Sequence, residues 1–150
     1  MIRAEDTAGC AGAYYVRIQA MARKHHISLH EEFDEHDGPP TRYIVLVDDF
    51  LPVATCRWYP LTDKTVMLGR IVVLPEYRGQ GLGRRVVWEA ERWAAEMGCE
   101  EAVLDSRVGK TGFYEKLGYR ICDGQVLHGE TFDCIRMKRM IADGEADKRC

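Results

Sequence analysis

The stretch Arg78-Gly79-Gln80-Gly81-Leu82-Gly83-Arg84 constrains this chain more than any other. It follows a β-branched run that ends at Leu74-Pro75, and it opens an amphipathic run over residues 82–97. A strand that must turn at once into a helix needs backbone freedom, which glycine supplies. Free amides at a helix start favour an anion, phosphate above all, and Arg78 and Arg84 add positive charge there. Two readings of the turn stand side by side: a phosphate cradle, and a tight strand-to-helix connection that holds nothing. A Walker-type loop is excluded because no Gly-Lys-Ser/Thr is present. A dinucleotide fingerprint is excluded because the third glycine comes too early and the turn lies mid-chain.

Hydrophobic periodicity supplies the rest of the plan. A helix is expected over residues 9–24, with Tyr14, Ile18 and Met21 on its apolar side. Runs 43–47 and 53–59, separated by Asp48-Asp49, read as an antiparallel hairpin, and a third strand covers 66–74. In the 82–97 helix, Leu82, Val86, Ala90, Trp93, Ala94 and Met97 form the apolar stripe. Arg85, Glu89, Arg92 and Glu96 lie opposite and can pair four residues apart. A strand at 102–106, a short helix at 110–117 and strands at 119–122 and 132–140 follow. A strand, a long helix and a strand in series imply a parallel pair. The expected fold class is therefore α/β in the mixed α+β sense, a mostly antiparallel sheet with helices on both faces.

A chain of 150 residues is expected to form a single domain, with a polar tail over about 142–150. The net charge of -3 argues against a nucleic-acid partner. No apolar run approaches the roughly 20 residues of a membrane span, and the start, Met1-Ile2-Arg3-Ala4-Glu5-Asp6, lacks a leader's apolar stretch. A cytoplasmic location and no membrane partner are expected. The six cysteines are scattered without a C-x-x-C pair, so they read as reduced thiols used as small apolar residues. His25, His26, His30 and His36 lack a metal-ligand spacing, and no metal is expected.

Arg78-x-x-Gly81-x-Gly83 resembles the Q/R-x-x-G-x-G/A signature of the GNAT family of N-acetyltransferases, within Gly69-Arg70-Ile71-Val72-Val73-Leu74-Pro75-Glu76-Tyr77-Arg78. A second family segment follows in order, Gly112-Phe113-Tyr114-Glu115-Lys116-Leu117-Gly118-Tyr119. The resemblance covers roughly residues 45–140. It implies a sheet splayed open at an acyl-CoA site. The pantetheine arm would pair with the backbone of Ile71, Val72 and Val73 like an added strand. The pyrophosphate would lie on Arg78, Gly79, Gln80, Gly81, Leu82, Gly83 and Arg84. Many relatives carry Asn or Gln where this chain has Arg107, which is either a phosphate or ribose contact or a solvated surface residue. The residues around Tyr15, Val16, Arg17 and Glu32-Phe33-Asp34-Glu35-x-Asp37 resemble a bacterial subgroup. That subgroup often has Pro-His before its last strand, where this chain has Asp133-Cys134.

The implied activity is direct acyl transfer from acetyl-CoA to an amine acceptor, a small molecule or a peptide. Positioning suffices for such a reaction, and no enzyme nucleophile is required. A phenol with a pKa of about 10 is matched to a thiolate leaving group. The family motif places its tyrosine at Tyr114, the expected general acid, with Phe113 beside it as a core aromatic. Five carboxylates fall between Glu31 and Asp37. Glu32 and Asp34 are the expected acceptor-side residues, and Glu32, Asp34 and Glu35 are base candidates. The same run also fits a solvated face. The alternatives are a non-catalytic acyl-CoA sensor on the same fold and a metal-binding acidic module. A homodimer is left open.

Overall fold

The computed structural model describes residues 1–141. The polar tail expected over 142–150 lies outside them. The chain divides into two compact units, one of Met1–Tyr59 with Gly69–Ala90, the other of Pro60–Leu68 with the chain from Glu91 onward.

In the first unit, β1 (Ile2–Ala4) runs antiparallel to β2 (Arg42–Asp48), which runs antiparallel to β3 (Leu51–Pro60). The hairpin turns through Asp49, as its Asp-Asp pair led one to expect. β1 was not expected from sequence. Three residues with an arginine in the middle carry no period of their own, and pairing with Tyr43, Ile44 and Val45 makes them a strand.

Helix α1 (Thr7–Arg17) is capped by the Asp6 carboxylate, which accepts from the Gly9 amide at 2.8 Å. It continues through a π-helical turn (Ile18–Ala22) into α2 (Arg23–His25). Its buried face is Gly9, Ala13, Val16, Arg17 and Ala20, whereas Tyr14, Ile18 and Met21 flank that face half-buried. The expected stripe is thus displaced, for a steric reason. A Cβ on Gly9 would stand 2.6 Å from the Ala4 Cβ, so the helix approaches β1 too closely for large side chains. Ala4, Ala13, Tyr43 and Val45 form a core on that side. Arg3, between strand residues facing α1, points the other way and meets Glu89 of α4 (Leu82–Glu96) at 2.8 Å. Helices therefore lie on both faces of this unit's strands. Glu89, expected on the solvent side, is 6% exposed because of that pairing.

β4 (Thr65–Val73) begins in the second unit, where it runs parallel to β5 (Glu101–Arg107) from Thr65↔Glu101 to Leu68↔Leu104. β5 is antiparallel to β7 (Asp133–Met140), and β7 to β6 (Arg120–His128). Among the described residues, the seven strands pair mostly antiparallel, with a parallel ladder between β4 and β5, as expected. β6 is longer than its sequence suggested. Its pairing breaks after Ile121 and resumes at Val126, so the alternation is interrupted. Met97, assigned to the apolar stripe, lies just past α4 and is 50% exposed. The solvent-side pair Arg92–Glu96 forms at 3.9 Å. Among the described residues, no helix is long and apolar enough to cross a membrane.

Candidate functional site

The parallel ladder stops at Leu68 opposite Leu104, although β4 runs on to Val73 and β5 to Arg107. Gly69 and Arg70 follow at once, and Arg70 has φ 46°, a left-handed conformation in mid-strand. A bulky side chain there costs about 1–3 kcal/mol, and such strain persists only where surrounding contacts fix it. Arg70 Nε donates to the Glu32 carbonyl at 3.1 Å and Nη2 to Asp34 Oδ2 at 3.3 Å. Beyond it, Ile71 and Val73 are half-buried and Val72 is buried. The Val73 carbonyl accepts from Arg78 Nε at 3.4 Å, and the Leu74 amide donates to the Val53 carbonyl at 2.8 Å.

A one-turn helix (Pro75–Tyr77) leads into the glycine turn. Gly79 and Gly81 have φ 77° and 75°. A Cβ built on either meets no protein atom within 4 Å, so the turn is open on its outer side. The Gly81 carbonyl accepts from the Arg85 amide at 3.2 Å and starts α4. Arg78, Gly79, Gln80, Gly81 and Arg84 are exposed, Gly83 is partly covered, and Leu82 is buried as the first core residue of the helix. Amides in that first turn lack intrahelical partners by geometry. The backbone of the turn is unobstructed on that side.

The acidic segment is built differently from a loose charge run. Ser28 and Glu31 form a reciprocal capping box on the short helix α3 (Leu29–Glu32). Glu32 is 2% exposed, and its carboxylate accepts from Arg17 Nε at 2.9 Å. Arg17 is fully buried and also binds the Glu32 carbonyl and both Asp37 oxygens. Arg57, on β3, reaches Asp34 at 2.7 Å and Asp37 at 3.1 Å. Tyr43 donates to Asp37 at 2.7 Å. Burial pushes the Asp37 carboxyl up, yet Arg17 and Tyr43 outweigh it and hold it far below the usual range. Burial likewise opposes Asp34, and Arg57 prevails, again lowering it. Three carboxylates thus meet three guanidiniums. Glu32, Asp34 and Asp37 therefore belong to a charge-balanced cluster and not to the solvated face that the charge run also fitted, with Asp34 about a quarter exposed at its edge. Sequence reasoning missed Arg17, Arg57 and Arg70 as its partners. The signal was present: each arginine is wedged among apolar or glycine neighbours, Val16-Arg17-Ile18, Cys56-Arg57-Trp58 and Gly69-Arg70-Ile71.

In the second unit, Tyr114 lies half-buried on α5 (Thr111–Lys116). Its ring meets Phe113 edge-on at 4.9 Å and Tyr119 at 6.1 Å. Phe113, expected to be the core aromatic, is 41% exposed, and Tyr119 occupies the buried position instead. The reason is the helix end: the Tyr119 amide bonds the Tyr114 carbonyl at 3.0 Å and turns the chain inward. Arg107 lies 3.6 Å from the centre of the Phe132 ring, a cation–π contact.

The acetyltransferase (GNAT) family profile matches residues 9–119. The chain is 32% identical over 109 residues to an uncharacterized N-acetyltransferase of Bacillus subtilis, YjcF, covering 73% of this chain and 76% of that one. A crystal structure from Lactobacillus plantarum, provisionally assigned as an N-acetyltransferase, superposes with a TM-score of 0.86 at 28% identity over 93% of this chain and 96% of the other. An aminoglycoside 6'-N-acetyltransferase solved with coenzyme A shares the fold at 21% identity and a TM-score of 0.73, over 96% and 99% of the two chains.

Proposed function

The chain belongs to the acetyltransferase (GNAT) family, and from that premise we propose that it transfers an acetyl group from acetyl-CoA to the nitrogen of an amine acceptor. The observation that carries the reading is the pair of left-handed glycines, Gly79 and Gly81, open on their outer side at the start of α4. A diphosphate fits a backbone of that shape and polarity. Arg78 and Arg84 add charge to either end of the turn, and Gln80, Leu82 and Gly83 complete it. Ile71, Val72 and Val73 offer strand backbone to an amide-bearing arm.

Acetyl-CoA supplies the activated acyl group as a thioester. The acceptor nitrogen bonds to the acetyl carbon as the carbon–sulfur bond breaks. Tyr114 gives its phenolic proton to the departing sulfur, the general-acid role, while the proton that the acceptor nitrogen sheds passes to water, which returns one to the phenolate. Glu32 and Asp34 serve the acceptor side in different ways. Glu32 fixes Arg17 and Arg70, while Asp34, at the cluster's edge, is the carboxylate able to meet an ammonium.

The test is binding. Acetyl-CoA should raise the melting temperature of the wild-type chain, whereas NAD should not, because only a ligand of the native state stabilises it. Gly81→Val should remain folded by circular dichroism and lose CoA affinity. Its branches enter the open side of the turn and disfavour φ 75°. Tight CoA binding by that variant would exclude the turn as the phosphate site.

A further inference from the structure

Resting on the reading of Tyr114 as the proton donor, we propose that Glu91 is a positioning residue that holds Tyr114 through Tyr119 and Arg139. Glu91 lies on the inner face of α4 and is 3% exposed. One carboxylate oxygen accepts from the Tyr119 hydroxyl at 2.7 Å, and the other from Arg139 Nη1 at 3.2 Å. Both partners end on α5. Tyr119 is 3% exposed; its amide bonds the Tyr114 carbonyl at 3.0 Å, and its ring packs edge-on against the Tyr114 ring. The same Arg139 nitrogen donates to the Leu117 carbonyl at 2.7 Å, at the helix's C-terminal end. A six-residue helix is too short to hold its own orientation. Here it is tied at its C-terminal end by one carboxylate acting along two routes. A carboxylate on a long amphipathic helix normally faces water, and burying this one is costly. Both of these hydrogen bonds lead to the element that carries Tyr114.

The consequence is a loss confined to the chemical step. Tyr119→Phe keeps the ring and removes the hydroxyl, so α5 stays packed while one of its two ties to Glu91 is cut. kcat is expected to fall about tenfold, the scale of a sub-ångström misplacement, with KM for acetyl-CoA unchanged. Glu91→Gln is the second variant and should show the same split. The deciding measurement is a double-variant cycle on CoA-binding-competent protein. In a Tyr114→Phe background, Tyr119→Phe should cost nothing further, because the group being positioned is gone. Losses that multiply instead would overturn the proposal, since a general packing defect acts whatever residue 114 is. Unchanged kcat in both Tyr119→Phe and Glu91→Gln would also overturn it while leaving Tyr114 in its role. Unchanged kcat in Tyr114→Phe alone, with chemistry rate-limiting, would remove the proton-donor reading itself.

Discussion

Two buried carboxylate networks, one in each unit, treat the same functional group in opposite ways. In the first, Glu32, Asp34 and Asp37 meet Arg17, Arg57 and Arg70, and Asp34 and Asp37 are held below their usual range. In the second, Glu91 has Tyr119 and Arg139 as its partners among the described residues. Burial wins over both partners, and its carboxyl is pushed up. Partner number and depth both separate them: the Asp34 and Asp37 side chains are 26% and 7% exposed against 3% for Glu91, and among the described residues each meets two guanidiniums where Glu91 meets one. A carboxylate surrounded by guanidiniums is a fixed anion that braces neighbouring strands. One whose single cation, among the described residues, is shared with a backbone carbonyl is held less firmly as an anion, and it depends less on that cation.

The sharpest way to break this contrast is to remove one cation from each network. Arg17→Met strands Glu32 and Asp37 in the interior, and such a loss costs about 3–5 kcal/mol. Arg139→Met leaves Glu91 free to take up a proton and should cost about 1–3 kcal/mol, mainly the lost hydrogen bonds. Urea unfolding of both variants at neutral pH gives the comparison, and equal losses would show that partner number does not decide.

Titration separates the networks next. Asp34 and Asp37 have lowered folded values, so their stabilisation is present above the unfolded carboxylate range near pH ~4 and fades as pH falls through the folded values. Glu91 has a raised value, so the sign reverses. Between the ordinary value of 4.5 and the raised one, the native state holds a proton that the unfolded state has released, and stability falls as pH rises. Glu91→Gln should therefore gain on wild type across that window, by at most about 1.4 kcal/mol per pH unit, and show no changing difference below it. Urea midpoints from pH 4 to pH 8 measure this. A difference that narrows with rising pH would contradict the assigned shift.

What was legible in the sequence follows from how local each feature is. The hairpin, the parallel pair around α4, the glycine turn and the second family segment rest on short-range pattern, and all appear near their expected positions. The apolar or glycine neighbours of Arg17, Arg57 and Arg70 hinted at burial but not at a partner, because these arginines are far from the acidic run in sequence and meet it only through folding. Tyr119 takes the core place expected of Phe113 for a related reason. Hydrophobicity ranks phenylalanine as the core residue, but a buried carboxylate on α4 rewards the residue that carries a hydroxyl. Glu91 drew no reading from sequence, because its partners Tyr119 and Arg139 lie far along the chain.

The smallest effect expected concerns acceptor charge. If all five carboxylates from Glu31 to Asp37 were free, the segment would draw cationic amines strongly. Three are balanced by arginines, and Glu31 is turned back on the Ser28 amide as a helix cap. Glu35 remains, with its side chain 82% exposed and 3.7 Å from the His36 ring nitrogen. A single solvated charge contributes a few tenths of a kcal/mol at most. Glu35→Gln should therefore change the ratio of kcat/KM for a cationic amine over a neutral one by less than about twofold, and the change should vanish as salt rises. Asp34→Asn is the contrasting variant, because it alters a carboxylate that is both partly exposed and held by two arginines. It should shift that ratio more, and the shift should persist at high salt, where an exposed charge is screened and a held one is not. A large, salt-sensitive effect from Glu35 with none from Asp34 would place acceptor selection in the solvated loop instead of at the edge of the cluster.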